Sequence, residues 1–246
     1  MVFGFTADSF RFLSVANVLR IFRWSGLRFA EVTTAVFCNP DKALRYTGSM
    51  KLGLHLPNAG NRGYDFSSQK HAAIIRDDLL RIGHHRCLFR FQYAVFHPPE
   101  MGTLDSTKEF FIQNLRQVGV PLVLENIRGY TPETLMDFYK WLKNDLGDRL
   151  WGICLDIPHA HLTDRRWKDY FYMLRAYVRV IHLSNCKDGD DKHLPFVVEG
   201  DLALEPILTL LKREKYDGFL NFEILPPSIP DAIRLFPMIQ QLRNYG

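Results

Sequence analysis

Eight short apolar runs, each followed by a stretch of helical character, constrain this chain more than any other feature of its 246 residues. The runs are Val2–Phe5, Phe29–Thr33, Lys51–His55, Gln92–His97, Pro121–Glu125, Gly152–Asp156, Val178–Leu183 and Gly218–Ile224, together rich in β-branched and aromatic residues. Their apolarity is mostly continuous rather than alternating. That is what a parallel strand covered on both faces requires. The segments between them carry helix signals. In Thr131-Pro132-Glu133, the threonine suits an N-cap, the proline a first helical position, and the glutamate the positive end of the helix dipole. Ser67 and Ser68 open a pattern with Ile74, Ile75, Leu79 and Ile82 near one face, which Gly83 is expected to end. Lys108 to Val118 and Leu204 to Lys215 read similarly, whereas Phe37 to Gly48 carries the least regular helical pattern. Strand–helix alternation of this kind builds an eight-stranded β/α barrel, with an open doubly wound sheet as the alternative.

The chain length suits one barrel, and no linker, low-complexity tract or charge block divides it, so a single domain over residues 1–246 is expected. With 47% hydrophobic and 24% charged residues there is ample material for a core. A formal charge of +4 fits an anionic substrate such as a phosphate ester and falls far short of a nucleic-acid-binding stripe. Cys38, Cys87, Cys154 and Cys186 form no CxxC pair, which argues against a disulfide scaffold or thiolate zinc site and suits a reducing cytoplasm. Charged residues Asp8, Arg11, Arg20 and Arg23 interrupt the apolar N-terminal segment, so neither a signal peptide nor a membrane span is expected.

In a barrel of this kind the reactive groups belong where strands end and βα loops begin. Metal-capable residues gather there. The third run ends in His55 and the fourth in His97. The fifth ends in Glu125-Asn126, and the sixth in Asp156 with His159 three residues on. The seventh carries His182 and leads to Asp191-Lys192-His193, and the eighth contains Glu223. The remaining histidines, His71, His84, His85 and His161, read as surface residues of helices or loops. Any one of these strand-end groups could be a hydrogen-bonded loop residue. Together they differ, because four carboxylates crowded at one mouth would repel each other unless cations sat among them. Imidazole nitrogen mixed with carboxylate oxygen suits zinc, with manganese also possible, and could hold two or three ions.

These residues, from Lys51 to Ile224, resemble the xylose-isomerase-like TIM barrel superfamily, which includes sugar isomerases and epimerases as well as endonuclease IV-type phosphodiesterases (AP endonuclease family 2). The resemblance implies a (β/α)8 TIM barrel. In the isomerase branch, which holds fewer metals, the main ligands would match Glu125, Asp156, His182 and Glu223. In the endonuclease IV branch three zincs are implied. One would take His55, His97 and Glu125; a second would share Glu125 and add Asp156, His182 and Glu223; the third would take His159, Asp191 and His193. The Asp191-x-His193 pair separates the branches, since a single-metal isomerase has no need of it. Epimerases of the superfamily commonly place an arginine six residues beyond the seventh-strand histidine, where this chain has Asp188. Gly4-Phe5-Thr6-Ala7-Asp8 replaces the histidine and paired glycines of the DNA-repair enzymes, and Thr34 to Thr47 lacks their DNA-penetrating pattern.

The expectation is therefore a zinc-dependent hydrolase acting on a nucleotide-like phosphodiester. Abasic DNA is possible as a partner but is not indicated by the loops. Glu125 and Glu223 are the candidate catalytic carboxylates. In the alternative reading, a single-metal sugar or sugar-phosphate isomerase or epimerase, the same two would shuttle a proton beside a carbonyl. Lys187 and Arg128 are candidates for contacting the substrate phosphate. The cluster Arg165-Arg166-Trp167-Lys168 is better explained as the amphipathic start of a helix.

Overall fold

A computed structural model describes residues 1–10, 13–100, 104–226 and 228–242. Its strands are β1 (Val2–Thr6), β2 (Phe29–Thr33), β3 (Lys51–His55), β4 (Phe91–Phe96), β5 (Leu122–Glu125), β6 (Leu150–Asp156), β7 (Val178–Leu183), β8 (Asn185–Lys187), β9 (Asp190–Leu194) and β10 (Phe219–Phe222). The helices are α1 (Val15–Trp24), α2 (Pro40–Thr47), α3 (Ala59–Arg62), α4 (Ala72–Phe89), α5 (Leu104–Val118), α6 (Pro132–Leu146), α7 (Ile157–Asp164), α8 (Trp167–Leu174), α9 (Leu204–Arg213) and α10 (Ile229–Leu242). Strands β1 to β7 lie side by side in chain order, and β10 closes the ring between β7 and β1. All eight barrel pairings are parallel. Strands β8 and β9 form a separate antiparallel hairpin in the loop after β7. Among the described residues, no helix is long and apolar enough to cross a membrane.

The strand period of two divides the core into two layers. Leu52, Leu54, Leu124, Ile153, Leu155, Ile181 and Leu183 face the helices and join the large outer core. Phe29, Tyr93, Val95, Val123, Cys154, Val180 and Phe219 form a compact cluster that fills the barrel interior. Glycines admit the large rings. A Cβ on Gly4 would fall 2.2 Å from Phe29 Cδ1, and one on Gly53 would fall 2.6 Å from Tyr93 Cζ. Two residues along the same strands, the inward set turns polar: Val123 is followed by Glu125, Cys154 by Asp156, Val180 by His182, and Phe219 by Asn221 and then Glu223. The apolar plug is therefore a floor beneath a polar layer at the C-terminal rim.

Some local expectations change. Helix α4 runs through Gly83 to Phe89 and ends on Arg90, which adopts the left-handed conformation at φ 52°. Burial of Ile75, Ile82 and Phe89 on one continuous face outweighs the roughly 1 kcal/mol that a mid-helix glycine costs. Ser67 and Ser68 do not cap it, because its first turn starts after His71. The region with the least regular pattern, Phe37 to Gly48, holds α2, capped by the Asn39 side chain. Thr131 and Pro132 begin α6 in the positions their chemistry suits, with Thr131 Oγ1 accepting from the Thr134 amide at 3.3 Å. The Arg165–Lys168 cluster is the start of α8, where Trp167 is buried and Arg166 pairs with Asp169 at 2.7 Å.

Candidate metal centre

The nine strand-end candidates converge on the polar layer. His55 Nε2 and His97 Nε2 lie 3.2 and 3.3 Å from the same Glu125 oxygen, Oε2. His182 Nδ1 lies 3.5 Å from Glu125 Oε1 and 3.0 Å from Glu223 Oε2. Asp156 is the register partner of His182 on the neighbouring strand, and its Oδ1 is 3.5 Å from His159 Nδ1. Asp191 Oδ2 sits between His159 Nε2, at 3.0 Å, and His193 Nε2, at 3.6 Å. Bonds of about 2.0–2.1 Å at tetrahedral angles put neighbouring zinc ligands about 3.3 Å apart, so these separations suit donors around cations. Two further observations point the same way. Asp156 Oδ2 and His182 Nδ1 are buried and make no hydrogen bond, although His182 Nδ1 touches two carboxylates. An orphaned acceptor inside a ring of donors is costly unless something binds it.

Each imidazole is held by its other nitrogen. His55 Nδ1 meets the Leu56 carbonyl at 2.8 Å, and His97 Nδ1 meets Glu100 Oε1 at 3.0 Å. His159 Nδ1 meets the Asn126 carbonyl at 2.8 Å, and His193 Nδ1 meets the Glu223 carbonyl at 3.2 Å. His182 is turned the opposite way, with Nε2 on Glu31 Oε2 at 3.1 Å and Nδ1 facing the centre. A hydrogen bond on one ring nitrogen fixes the tautomer that leaves the other free to ligate. All five rings thus offer a nitrogen to one volume.

Glu31 has no place among the sequence-derived candidates. It is fully buried in β2 and accepts from Tyr93 Oη at 2.9 Å and Asn221 Nδ2 at 3.2 Å as well as from His182. Its only sequence signal is a lone acid in the run Phe-Ala-Glu-Val-Thr. Asn126 exchanges both side-chain bonds with the Asp156 backbone, at 2.7 and 2.9 Å, and so ties the ends of β5 and β6 together. Asp156 itself caps α7, its Oδ1 accepting from the His159 amide at 2.6 Å. One carboxylate therefore both starts the helix that carries His159 and faces the centre.

Burial alone pushes the five imidazoles toward the neutral form, but the surrounding anions outweigh it and raise each one, His55 to about 9. Burial likewise pushes Glu125 and Glu223 up, and His182 with its neighbours overrides it, holding both well below the usual carboxylate range. At Asp156 burial wins against the pull of His159, and the carboxyl rises to about 7.

A cavity of about 750 Å³ opens above these groups, lined by His55, His97, Glu125, His159, His193 and Glu223 and rimmed by Arg62 and Arg128. Lys187, a candidate phosphate contact on sequence grounds, does not reach it. It sits on β8, in the hairpin rather than in the barrel, and pairs with Glu199 at 3.8 Å. Asp8 does line the cavity. Its Oδ2 accepts from the Thr33 amide at 2.5 Å, its Oδ1 is buried without a partner, and burial raises its pKa against the opposing Thr33 bonds and Arg62. Of the four histidines expected at the surface, His84 is exposed, but His71, His85 and His161 are partly buried. His85 stacks on Phe37 at 5.5 Å, and Nδ1 of His161 is enclosed.

Among solved structures, the fold is similar to 3-keto-D-glucoside 4-epimerase from E. coli, with a TM-score of 0.71, 14% identity and 99% of both chains covered. It is also similar to D-psicose 3-epimerase from Clostridium cellulolyticum H10, at TM-score 0.71, 14% identity and coverage of 100% of this chain and 99% of that one. An AP endonuclease of family 2 from Brucella melitensis superposes at TM-score 0.67 and 12% identity, covering 96% of this chain and 98% of the other. At these identities the likeness is one of fold. Comparison with curated protein sequences gives no match. Residues 89–238, which carry eight of the nine converging side chains from His97 to Glu223, match the family described as xylose isomerase-like TIM barrel, and the chain belongs to that family.

Proposed function

We propose that this protein is a metal-dependent phosphodiester hydrolase with a trinuclear, zinc-type centre, acting on a small nucleotide-like diester. The observation that carries this reading is the position of Asp191 between His159 and His193, at 3.0 and 3.6 Å. A one-metal proton-transfer site would be complete with Glu125, Asp156, His182 and Glu223. A third cluster from a dedicated hairpin answers a need for more positive charge, which a phosphodiester has and a sugar carbonyl lacks. The sulfur-free donor set fits zinc, with manganese as the other acceptable ion.

Bound divalent cations would supply the acidity that makes water a nucleophile near neutral pH and offset charge on the phosphoryl oxygens. The residues of the chain do the rest. Arg62 and Arg128 at the rim draw an anion into the cavity. Glu125 and Glu223, kept ionised by the imidazoles, hold the floor of the site in a fixed charge state. Asp8 lines the cavity with its carboxyl raised by burial, and is the candidate proton donor to a leaving alkoxide. A cavity of about 750 Å³ is the size of a small-molecule site. That favours a compact diester over duplex DNA, in keeping with the loops after β1 and β2.

Metal counting and turnover test the reading together. Protein reconstituted with zinc or manganese should bind about three ions at the barrel mouth and hydrolyse bis(p-nitrophenyl) phosphate. His193→Ala should lose one ion and at least about 100-fold in rate, the scale on which removal of one charge-stabilising group acts. One ion at the mouth, with hydrogen exchange or epimerisation of ketohexoses and no diester hydrolysis, would instead establish the isomerase reading, with Glu125 and Glu223 as the proton-transfer pair.

A further inference from the structure

Behind the mouth, on the far face of α7, three side chains of different chemistry meet. His161 lies in the last turn of α7, Cys186 at the centre of β8, and Asp201 in the segment leading to α9. One donor atom of each lies within 4.8 Å of the others. Nδ1 of His161 is buried and has no hydrogen-bond partner. Cys186 is fully buried and unpaired, and the Asp201 amide donates to its carbonyl at 2.8 Å, fixing the two ligand-bearing segments against each other. A cavity of about 280 Å³ borders the cluster, lined by His161, Thr163, Asp164, Gly189 and Asp201, with Arg165 as its one cationic wall. It gives an ion a route in from solvent.

We propose that His161, Cys186 and Asp201 form a peripheral structural site for a soft or borderline divalent cation of the zinc type, distinct from the barrel-mouth centre. A thiolate, an imidazole and a carboxylate together favour zinc over magnesium, calcium or manganese. They leave a fourth position to water from the side cavity. Burial and the nearby Asp201 and Asp191 carboxylates push the Cys186 thiol up to about 11. Binding must therefore displace the thiol proton to solvent, and affinity should rise with pH. The consequence is mechanical. Helix α7 carries His159 at its start and His161 near its end, and β8 leads into the hairpin that bears Asp191 and His193. An ion joining His161 to Cys186 would clamp α7 to that hairpin, holding both sides of the Asp191 cluster from behind. This inference does not depend on the reaction carried out at the mouth.

Sulfur makes the site visible on its own, since none of the nine mouth donors carries it. The chelator-treated full-length protein would be titrated with Co²⁺ and scanned for a thiolate-to-cobalt charge-transfer band in the near ultraviolet. The band is expected in the wild type and in Cys154→Ser, the control for the buried cysteine beside His182. It should vanish in Cys186→Ser, and Asp201→Asn should weaken cobalt binding at that band at least tenfold. Should Cys186→Ser fail to fold by circular dichroism, Asp201→Asn and His161→Gln decide the matter, since both alter groups that are not fully buried. Absence of the band from folded, cobalt-saturated wild type, its survival in folded Cys186→Ser, or indifference to both His161→Gln and Asp201→Asn would overturn the proposal.

Discussion

At the scale of single residues, the centre is organised by bonds that point away from it. Each imidazole faces inward only because a carbonyl or carboxylate holds its other nitrogen, and for His182 that partner is Glu31 at 3.1 Å. Changing Glu31 to glutamine can keep an acceptor for Tyr93 and His182, which share one Glu31 oxygen, but replaces the carboxylate behind the His182 ring with a neutral amide. Zinc affinity should fall about 10- to 100-fold, the usual effect of losing such an outer partner. Competition against a chromophoric chelator measures it, and unchanged affinity would show that His182 does not ligate through Nδ1. Asp8 permits a sharper test, because its role depends on the leaving group. Asp8→Asn should slow cleavage of a dinucleotide diester, whose alkoxide needs a proton, by about 100-fold, the lower end of general-acid effects. Hydrolysis of bis(p-nitrophenyl) phosphate, whose phenolate leaves unprotonated, should stay within a few-fold. Equal losses on both substrates would make Asp8 a positioning residue.

At the scale of elements, the site is legible in the sequence wherever the strand period governs it. Runs such as Pro121–Glu125 and Gly152–Asp156 are apolar until their last inward position, where a carboxylate appears, and the barrel rule then assigns that residue to the mouth. Glu31 escapes the same reasoning because it sits in mid-strand with an apolar residue on either side, and only closure of the ring brings Tyr93, His182 and Asn221 to it. The hairpin is hidden for a different reason. Its signal, Asp188-Gly189, is local and draws notice in the sequence only as the place of an absent arginine. In the structure these two residues adopt φ of 57° and 76° and connect β8 to β9, as a two-residue turn of mirror-image type requires. His193, further along, is itself left-handed at φ 46°, an uncommon state for a non-glycine and one that aims its ring at Asp191. Gly189→Ala should therefore act through geometry alone. A left-handed alanine costs about 1–2 kcal/mol, which corresponds to roughly a tenfold loss of affinity for the ion held by the hairpin if that strain is released when the turn opens. The ions held by barrel strands should bind unchanged, so a titration with manganese, which the thiolate site disfavours, should show a single weakened step. Uniform weakening of every step would mean the hairpin and barrel form one rigid unit.

At the scale of the whole molecule, the mouth is a charge cluster that the fold must accommodate with or without metal, and pH separates the two states. In the metal-free protein the imidazoles substitute for cations. His55, raised from its ordinary 6.5 to about 9, stabilises the fold fully below pH 6.5, and that contribution disappears as pH rises through 9. His97, His159, His182 and His193 are displaced in the same direction. Asp156, raised from 3.8 to about 7, works in the same direction over a lower range, its contribution falling as pH rises from 3.8 through about 7. Glu125 and Glu223, lowered by the same imidazoles, contribute above their ordinary range near 4.5 and lose that contribution only in acid. Metal-free protein should thus be most stable between about pH 4.5 and 6.5 and lose melting temperature steadily toward pH 9. Metal reverses the dependence, because ligands must surrender their protons to bind it. Scanning calorimetry on chelated and zinc-loaded samples should give curves that lie close together near about pH 5.5 and separate progressively above about pH 6.5. A chelated protein whose melting temperature is flat from about pH 6.5 to 9 would show that these imidazoles are not paired with the carboxylates in solution, and with that the case for a cation-binding mouth would fail.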